Sequence, residues 1–305
     1  MRLLVFAAAA LSCAQTTLDV DGRVDPAGAA SVTLHAVANP FQTSTLADAK
    51  GRFRFRKIPA GAYTLIGFAP GRGEARRTVE VSPAFAAKGV VRLELTLGPE
   101  KPGAGAKVSM RELSIPDAAR REYMDAQKLL ARNDALGAVR KLKRATSIAP
   151  QFSEAWNNLG TIAYQTEQFE DAEVYFRQAL EQDPQAFEPM VNLGGVLLTL
   201  GKIDESISYN LYAMLARPED ALANSQLGMS YHLAGNPELA IKYLSKAKKL
   251  DRAHFSHPQL MLAEIYLKRG DAASAAGELR EFVELHPDSK AAARARELLG
   301  RLKQP

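Results

Sequence analysis

AWNNLGTIAYQTEQFEDAEVYFRQALEQDP, residues 155–184, decides the fold of this 305-residue chain. Small residues stand at Gly160, Ala172 and Ala179, and Pro184 closes the stretch. A shift of 34 residues returns the same characters at Gly194, Ser206, Ala213 and Pro218. The opposite shift gives Ala126, Ala138, Ala145 and Pro150. A fourth copy carries Gly228, Ala240 and Ala247, with Arg252 in the proline slot. A fifth, one residue longer, holds Leu262-Ala263, Tyr266, Gly270-Asp271, Ala275 and Pro287.

Each slot has a steric reason. Antiparallel helices approach closely only where side chains are small, so Gly and Ala at fixed places set the crossing distance. Trp156, Leu159, Phe169, Phe176, Leu197, Ile203, Tyr231 and Leu244 fill the groove between them at helical spacing. Gly201, Gly235 and Gly270 stand where a first helix must stop and reverse. The prolines end each second helix. One hairpin cannot bury its own apolar face, so several must stack.

The run Ala155-Trp156-Asn157-Asn158-Leu159-Gly160, with Tyr164, Ala172, Phe176, Ala179 and Pro184, resembles the tetratricopeptide repeat over roughly residues 117–287. Asp125 takes the leucine slot of the first unit, and Asn210 an aromatic slot of the third. The resemblance implies an all-α superhelix of about five hairpins, completed by a charged amphipathic cap over 288–304. Ala291, Ala295, Leu298 and Leu302 form that cap's apolar side, with Lys290, Arg294, Glu297 and Arg301 toward water. It also implies that the first helix of every hairpin lines a concave groove. The groove slots are then Asn157, Asn158, Thr161, Tyr164 and Gln165; Asn192, Gly195, Leu198 and Thr199; and Ser225, Gln226, Met229 and His232. Asn158 and Asn192 hold a slot where the family often grips a peptide backbone through an amide. The alternative is that these asparagines bond neighbouring helices. The family's carboxylate clamp finds Tyr123, Asn157, Val191 and Ser225 at its positions, so that clamp is not expected.

Residues 15–97 change character, with frequent β-branched residues and Gly or Pro punctuation every 8 to 12 residues. Strands are predicted over residues 18–24, 31–36, 42–46, 52–57, 63–69, 76–81 and 90–97, an all-β antiparallel sandwich. In Gly51-Arg52-Phe53-Arg54-Phe55-Arg56-Lys57-Ile58-Pro59-Ala60-Gly61-Ala62-Tyr63-Thr64-Leu65, alternation puts Phe53 and Phe55 on one face and Arg52, Arg54 and Arg56 on the other. Pro59 and Gly61 supply a turn. This segment, with Gly22-Arg23-Val24 and Val32-Thr33-Leu34, resembles the carboxypeptidase regulatory-like (transthyretin-like) family. Such a domain implies no peptidase activity, because the family's zinc ligands lie on a separate catalytic domain. Residues 98–116 read as a linker with an apolar patch (Val108, Met110, Leu113, Ile115) that docks on one of the two domains.

The chain starts with Met1-Arg2 and an apolar run to Leu11, too short to span a bilayer. Residues 1–14 have the layout of a secretory signal. Cleavage after Ala14 fits the small-x-small rule, and Ala10-Leu11-Ser12-Cys13 resembles a lipobox that would lipidate Cys13. An exported protein, periplasmic or secreted and membrane-anchored if Cys13 is lipidated, is expected. Cys13 is the sole cysteine, so no disulfide forms within one chain.

The formal net charge is +5. Eleven Lys/Arg against seven Asp/Glu place the excess in residues 15–97, while the repeats are neutral. The stripe Arg52, Arg54, Arg56 could meet anionic polysaccharide or lipid headgroups, or could simply keep a strand face soluble. Nucleic acid is not expected, since neutral repeats offer no phosphate-tracking surface. No metal or cofactor is expected. His254 and His257 have ligand-like spacing with nothing to complete the set, and they read as an inter-hairpin loop. Gly195 to Gly201-Lys202 misses the P-loop spacing, with Ile203 where Ser or Thr should stand. The sequence thus points to a non-enzymatic scaffold that binds a protein or peptide in its groove, or alternatively to an envelope- or carbohydrate-binding protein acting through the basic face.

Overall fold

The computed structural model describes residues 16–99 and 114–302. The leader with Cys13, and Val108, Met110 and Leu113 of the linker patch, lie outside the described residues. The remaining member of the patch, Ile115, is buried in the first helical core, and Gln151 Nε2 donates to Ser114 O at 3.3 Å.

Among the described residues eight strands make the N-terminal domain: β1 (Thr17–Asp25), β2 (Ser31–Ala36), β3 (Gln42–Leu46), β4 (Arg52–Pro59), β5 (Gly61–Ala69), β6 (Gly73–Val81), β7 (Ala86–Ala87) and β8 (Val90–Thr96). They form two four-stranded sheets, β4-β1-β8-β7 and β3-β2-β5-β6. Pairing is antiparallel except between β1 and β8, which run parallel. The core is the set of inward alternate positions, including Val20, Val32, Leu34, Phe53, Phe55, Tyr63 and Leu65. Gly22 is required by this packing, because a Cβ there would stand 2.0 Å from the Phe53 ring. The turn at Pro59 and Gly61 carries the chain from one sheet to the other, and Tyr63 Oη donates to Pro59 O across it at 2.7 Å.

Eleven helices follow among the described residues: α1 (Asp117–Leu130), α2 (Ala135–Ile148), α3 (Ser153–Gln165), α4 (Phe169–Gln182), α5 (Phe187–Thr199), α6 (Ile203–Ala216), α7 (Ala221–Leu233), α8 (Pro237–Leu250), α9 (Pro258–Lys268), α10 (Ala272–Leu285) and α11 (Lys290–Leu302). The first ten pair as five hairpins and α11 caps the last. The recurrent small residues are the contact points. Ala138, Ala145, Ala172, Ala179, Ser206, Ala213, Ala240, Ala247 and Ala275 are wholly buried. A Cβ at Gly160 would meet the Phe176 ring, and one at Gly228 would meet Leu244. Asn210 fills the same place opposite Gly194. Its Nδ2 donates to Ser206 Oγ and Ser230 Oγ, both at 3.0 Å, while its Oδ1 is buried without a partner. On α11, Ala292 and Ala295 are buried, while Ala291, Leu298 and Leu302 pack half-buried beside them.

The reversal inside each hairpin uses a left-handed residue in one repeated slot: Asn133 (φ 59°), Glu167 (61°), Gly201 (73°), Gly235 (76°) and Gly270 (76°). A side chain with a Cβ is disfavoured there, and Asn tolerates it better than Glu. Glu167→Gly is therefore expected to stabilise the array by about 1 kcal/mol. Denaturant melts read this directly, and a lowered midpoint would contradict the strain argument.

Candidate binding groove

The sandwich does not stand apart from the helices. The outer face of the β3-β2-β5-β6 sheet lies across the concave side, opposite the first helices α3, α5 and α7. Strand β6 is an edge of that sheet, and its contacts run along the turns between hairpins. Arg76 Nη2 donates to Glu188 Oε1 at 2.6 Å and also pairs with Glu74. Arg217 reaches Glu188 at 3.1 Å while lying 4.1 Å above the Phe187 ring. Thr78 N donates to Asp251 Oδ2 at 2.8 Å, so a carboxylate takes an edge N–H that would otherwise be open. Ser82 Oγ donates to Asp288 Oδ2 at 3.0 Å, and His286 Nδ1 lies 3.1 Å from Glu80 Oε2. At the other rim Gln165 Nε2 donates to Ala36 O at 3.0 Å.

Between these rims a cavity of about 910 Å³ remains. Eight of the predicted groove residues line it: Asn157, Asn158, Thr161, Tyr164, Gln165, Asn192, Gly195 and Gln226. Leu198, Thr199, Ser225, Met229 and His232 do not. Ser225 is wholly buried with its hydroxyl 2.6 Å from that of Ser256, Met229 packs against the Leu244 core, and His232 lies 3.5 Å from Glu264. The asparagines form links between neighbouring first helices. Asn158 Nδ2 donates to Tyr123 Oη at 3.2 Å, and Asn192 Nδ2 donates to Asn157 Oδ1 at 3.1 Å. The opposite wall, which the groove slots could not reveal, comes from the sheet: His35, Thr64, Ile66 and Arg76 among others.

Burial opposes ionisation of Glu188, but Arg76 and Arg217 outweigh it and hold its carboxyl below the usual range. Desolvation, with a smaller contribution from Arg76, pushes His35 down to about 4. Desolvation also brings His254 and His257 to about 4. These two sit in the turn before α9, where His257 edges against His286 at 4.5 Å between ring centroids. In each case the folded value lies below the unfolded one, near 6.5, so the unfolded chain binds more protons between pH 6.5 and 4. Stability is thus expected to be full above pH 6.5 and to fall steadily as pH drops toward 4. Thermal midpoints across that window check it, and a flat profile would contradict the burial of these imidazoles.

The basic stripe lies on the other sheet. Arg52 pairs with Asp48 at 2.8 Å, and Arg54 clasps Asp21 through Nε and Nη2, which donate to Oδ1 and Oδ2. The Arg54 hydrogen bonds hold the Asp21 carboxyl below its ordinary range. Arg56 is exposed on the same face. Among the described residues no group of three His, Cys, Asp or Glu side chains could hold a metal ion, and no helix is long and apolar enough to cross a membrane.

Comparison with known proteins agrees with this architecture. Residues 18–97 match the carboxypeptidase regulatory-like domain. Residues 153–185, 221–254 and 259–289 each match a tetratricopeptide repeat model. The chain is a tetratricopeptide repeat protein with an N-terminal carboxypeptidase regulatory-like β-sandwich. Among curated proteins it is similar to the human cell division cycle protein 16 homolog, at 32% identity over 139 residues, which are 43% of this chain and 22% of that one. Anaphase-promoting complex subunit 3 of Schizosaccharomyces pombe is 24% identical over 151 residues, 50% of this chain and 23% of that one. The chain thus spans under a quarter of the length of either relative. Of solved structures, MamA from residue 41 of Desulfovibrio magneticus RS-1 has a TM-score of 0.52 at 22% identity, covering 58% of this chain and 99% of its own. A tetratricopeptide repeat protein of Parabacteroides merdae has a TM-score of 0.52 at 17% identity, covering 61% and 74%. These two likenesses concern the helical fold alone. The matched repeats support a reading of the chain as a protein-interaction scaffold.

Proposed function

We propose that this protein is an exported, non-enzymatic scaffold that binds an extended segment of a protein partner along its concave face. The observation that carries the reading is the row of amide side chains, Asn157, Asn158, Asn192 and Gln226, on successive first helices facing one cavity. An amide offers a donor and an acceptor together, which matches a peptide backbone. The paired state of Arg52 and Arg54 gives the basic face less to offer an anionic polysaccharide or lipid headgroup, so the groove is preferred.

Peptides selected from a displayed random dodecapeptide library on the full-length protein test this. Calorimetry with Asn158→Ala combined with Asn192→Ala should show about tenfold weaker binding, since each lost hydrogen bond is worth about 0.5–1.5 kcal/mol. The same variant loses the Tyr123 and Asn157 links, so its melting midpoint should fall modestly too. Affinity equal to wild type would sink the groove reading. Export rests on the apolar run up to Leu11 and the small residues after it. Mass spectrometry of the mature N-terminus should find Gln15 or a lipidated Cys13; a retained Met1 would refute it.

A further inference from the structure

We infer that the outer face of the β3-β2-β5-β6 sheet is the second wall of the ligand site, so that an uncharged, extended peptide segment is held between the sheet and the concave face. This rests on the groove reading above and adds what that reading lacks, a second set of recognition residues.

Four observations lead here. The domain contacts lie at the rims of the groove, at Glu188, Asp251, His286 and Asp288 on one side and Gln165 on the other. A domain that merely plugged the groove would fill its middle, yet the middle holds about 910 Å³ of space, at the upper end of the roughly 300–1,000 Å³ usual for ligand sites. The helical wall presents amides, and one is unsatisfied: Gln226 Oε1 is buried without a hydrogen-bond partner. Gly195 leaves the room for that side chain, since a Cβ there would lie 2.5 Å from Gln226 Nε2.

The sheet wall supplies different chemistry. Thr64 and Ile66 of β5 and His35 of β2 alternate with core residues and turn away from the sandwich interior toward the cavity. They add an apolar patch and neutral polar groups, because desolvation keeps the His35 imidazole uncharged at neutral pH. The charged groups of the lining are already engaged. Arg76 and Arg217 are tied to Glu188, and Asp251 accepts from Thr78. A charged ligand would have to break one of these pairs, whereas a neutral backbone can use the amides without disturbing them.

The test uses the selected dodecapeptides on the full-length protein. Ile66→Trp and Thr64→Tyr fill the cavity from the sheet side, and both new side chains suit strands. Each should weaken binding at least tenfold with an unchanged melting curve. Arg76→Ala, which loosens the sheet from the groove, should weaken it severalfold. Wild-type affinity in both cavity-filling variants would overturn the second wall; if Asn158→Ala with Asn192→Ala still loses affinity, the groove reading survives alone. Tighter binding by Arg76→Ala would make the sandwich a lid and overturn the inference. Maltohexaose bound with the same dependence on Ile66 and Thr64 would overturn the peptide assignment.

Discussion

Phe176→Ala is expected to lower the unfolding free energy by about 3–5 kcal/mol. Phe176 is 1% exposed and packs with Ala163, Ala172, Leu193, Val196 and Leu197, so it joins the second hairpin to the third. Its ring occupies the space that Gly160 vacates. Truncation therefore leaves a cavity that neither helix can close, because the glycine side has no atoms to move into it. The position matters beyond its volume. In a stacked array each hairpin is stabilised by its neighbours, and a weak interior interface lets the two ends unfold apart. Urea unfolding followed by helical circular dichroism should show a lower midpoint and a broadened transition. A change below about 1 kcal/mol would contradict the assigned packing. Ala179→Leu, at a wholly buried small residue one turn further along α4, tests close packing by overfilling and should cost about 1–3 kcal/mol.

What the sequence made legible follows the range of the physics. The hairpins were readable because their determinants are local and repeat: a small residue faces a large one sixteen positions later, at Gly160 and Phe176, Gly194 and Asn210, Gly228 and Leu244. The strands were readable from alternation, and Ser31–Ala36 and Gln42–Leu46 fall where expected. The parallel pairing of β1 with β8 joins residues some seventy apart and has no local signature. The groove was legible on its helical wall only. Thr64 and Ile66 look like ordinary outward strand positions, and nothing near them in sequence announces that α3 and α5 lie opposite. Ser225 and Met229 were assigned by counting slots. The turn before α9 turns Ser225 toward Ser256, while Met229 leans into the core around Leu244. The asparagines illustrate the middle case: their slot was evident, but Asn158 finds its partner in Tyr123, 35 residues away on another hairpin.

Arg76→Glu is expected to lift the sandwich off the helices. Arg76 sits between Glu74 and Glu188, and it also lies 5.9 Å from the Phe187 ring centroid. Reversing its charge would crowd three carboxylates into a partly buried space with Arg217 as the nearby counter-charge. The adjoining contacts, Thr78 to Asp251 and Glu80 to His286, lie on the same strand, so β6 should leave as a unit. Tethering through residues 98–116 keeps the local concentration of the sandwich high, so the outcome is a shifted equilibrium with the chain still joined. Small-angle scattering should report a larger radius of gyration and maximum dimension, with unchanged helical dichroism. Arg76→Lys should stay compact, because it keeps the charge although it loses the fork. A second readout separates undocking from local damage. His35 and His254 line the space between the domains, and His254, whose lowering owes nothing to Arg76, is the imidazole that reports undocking alone. Once the domains part, water returns to both imidazoles and their folded-state values rise toward 6.5. The acid sensitivity between pH 6.5 and 4 should therefore shrink in Arg76→Glu, and a compact variant with the wild-type pH profile would rule out Arg76 as the latch.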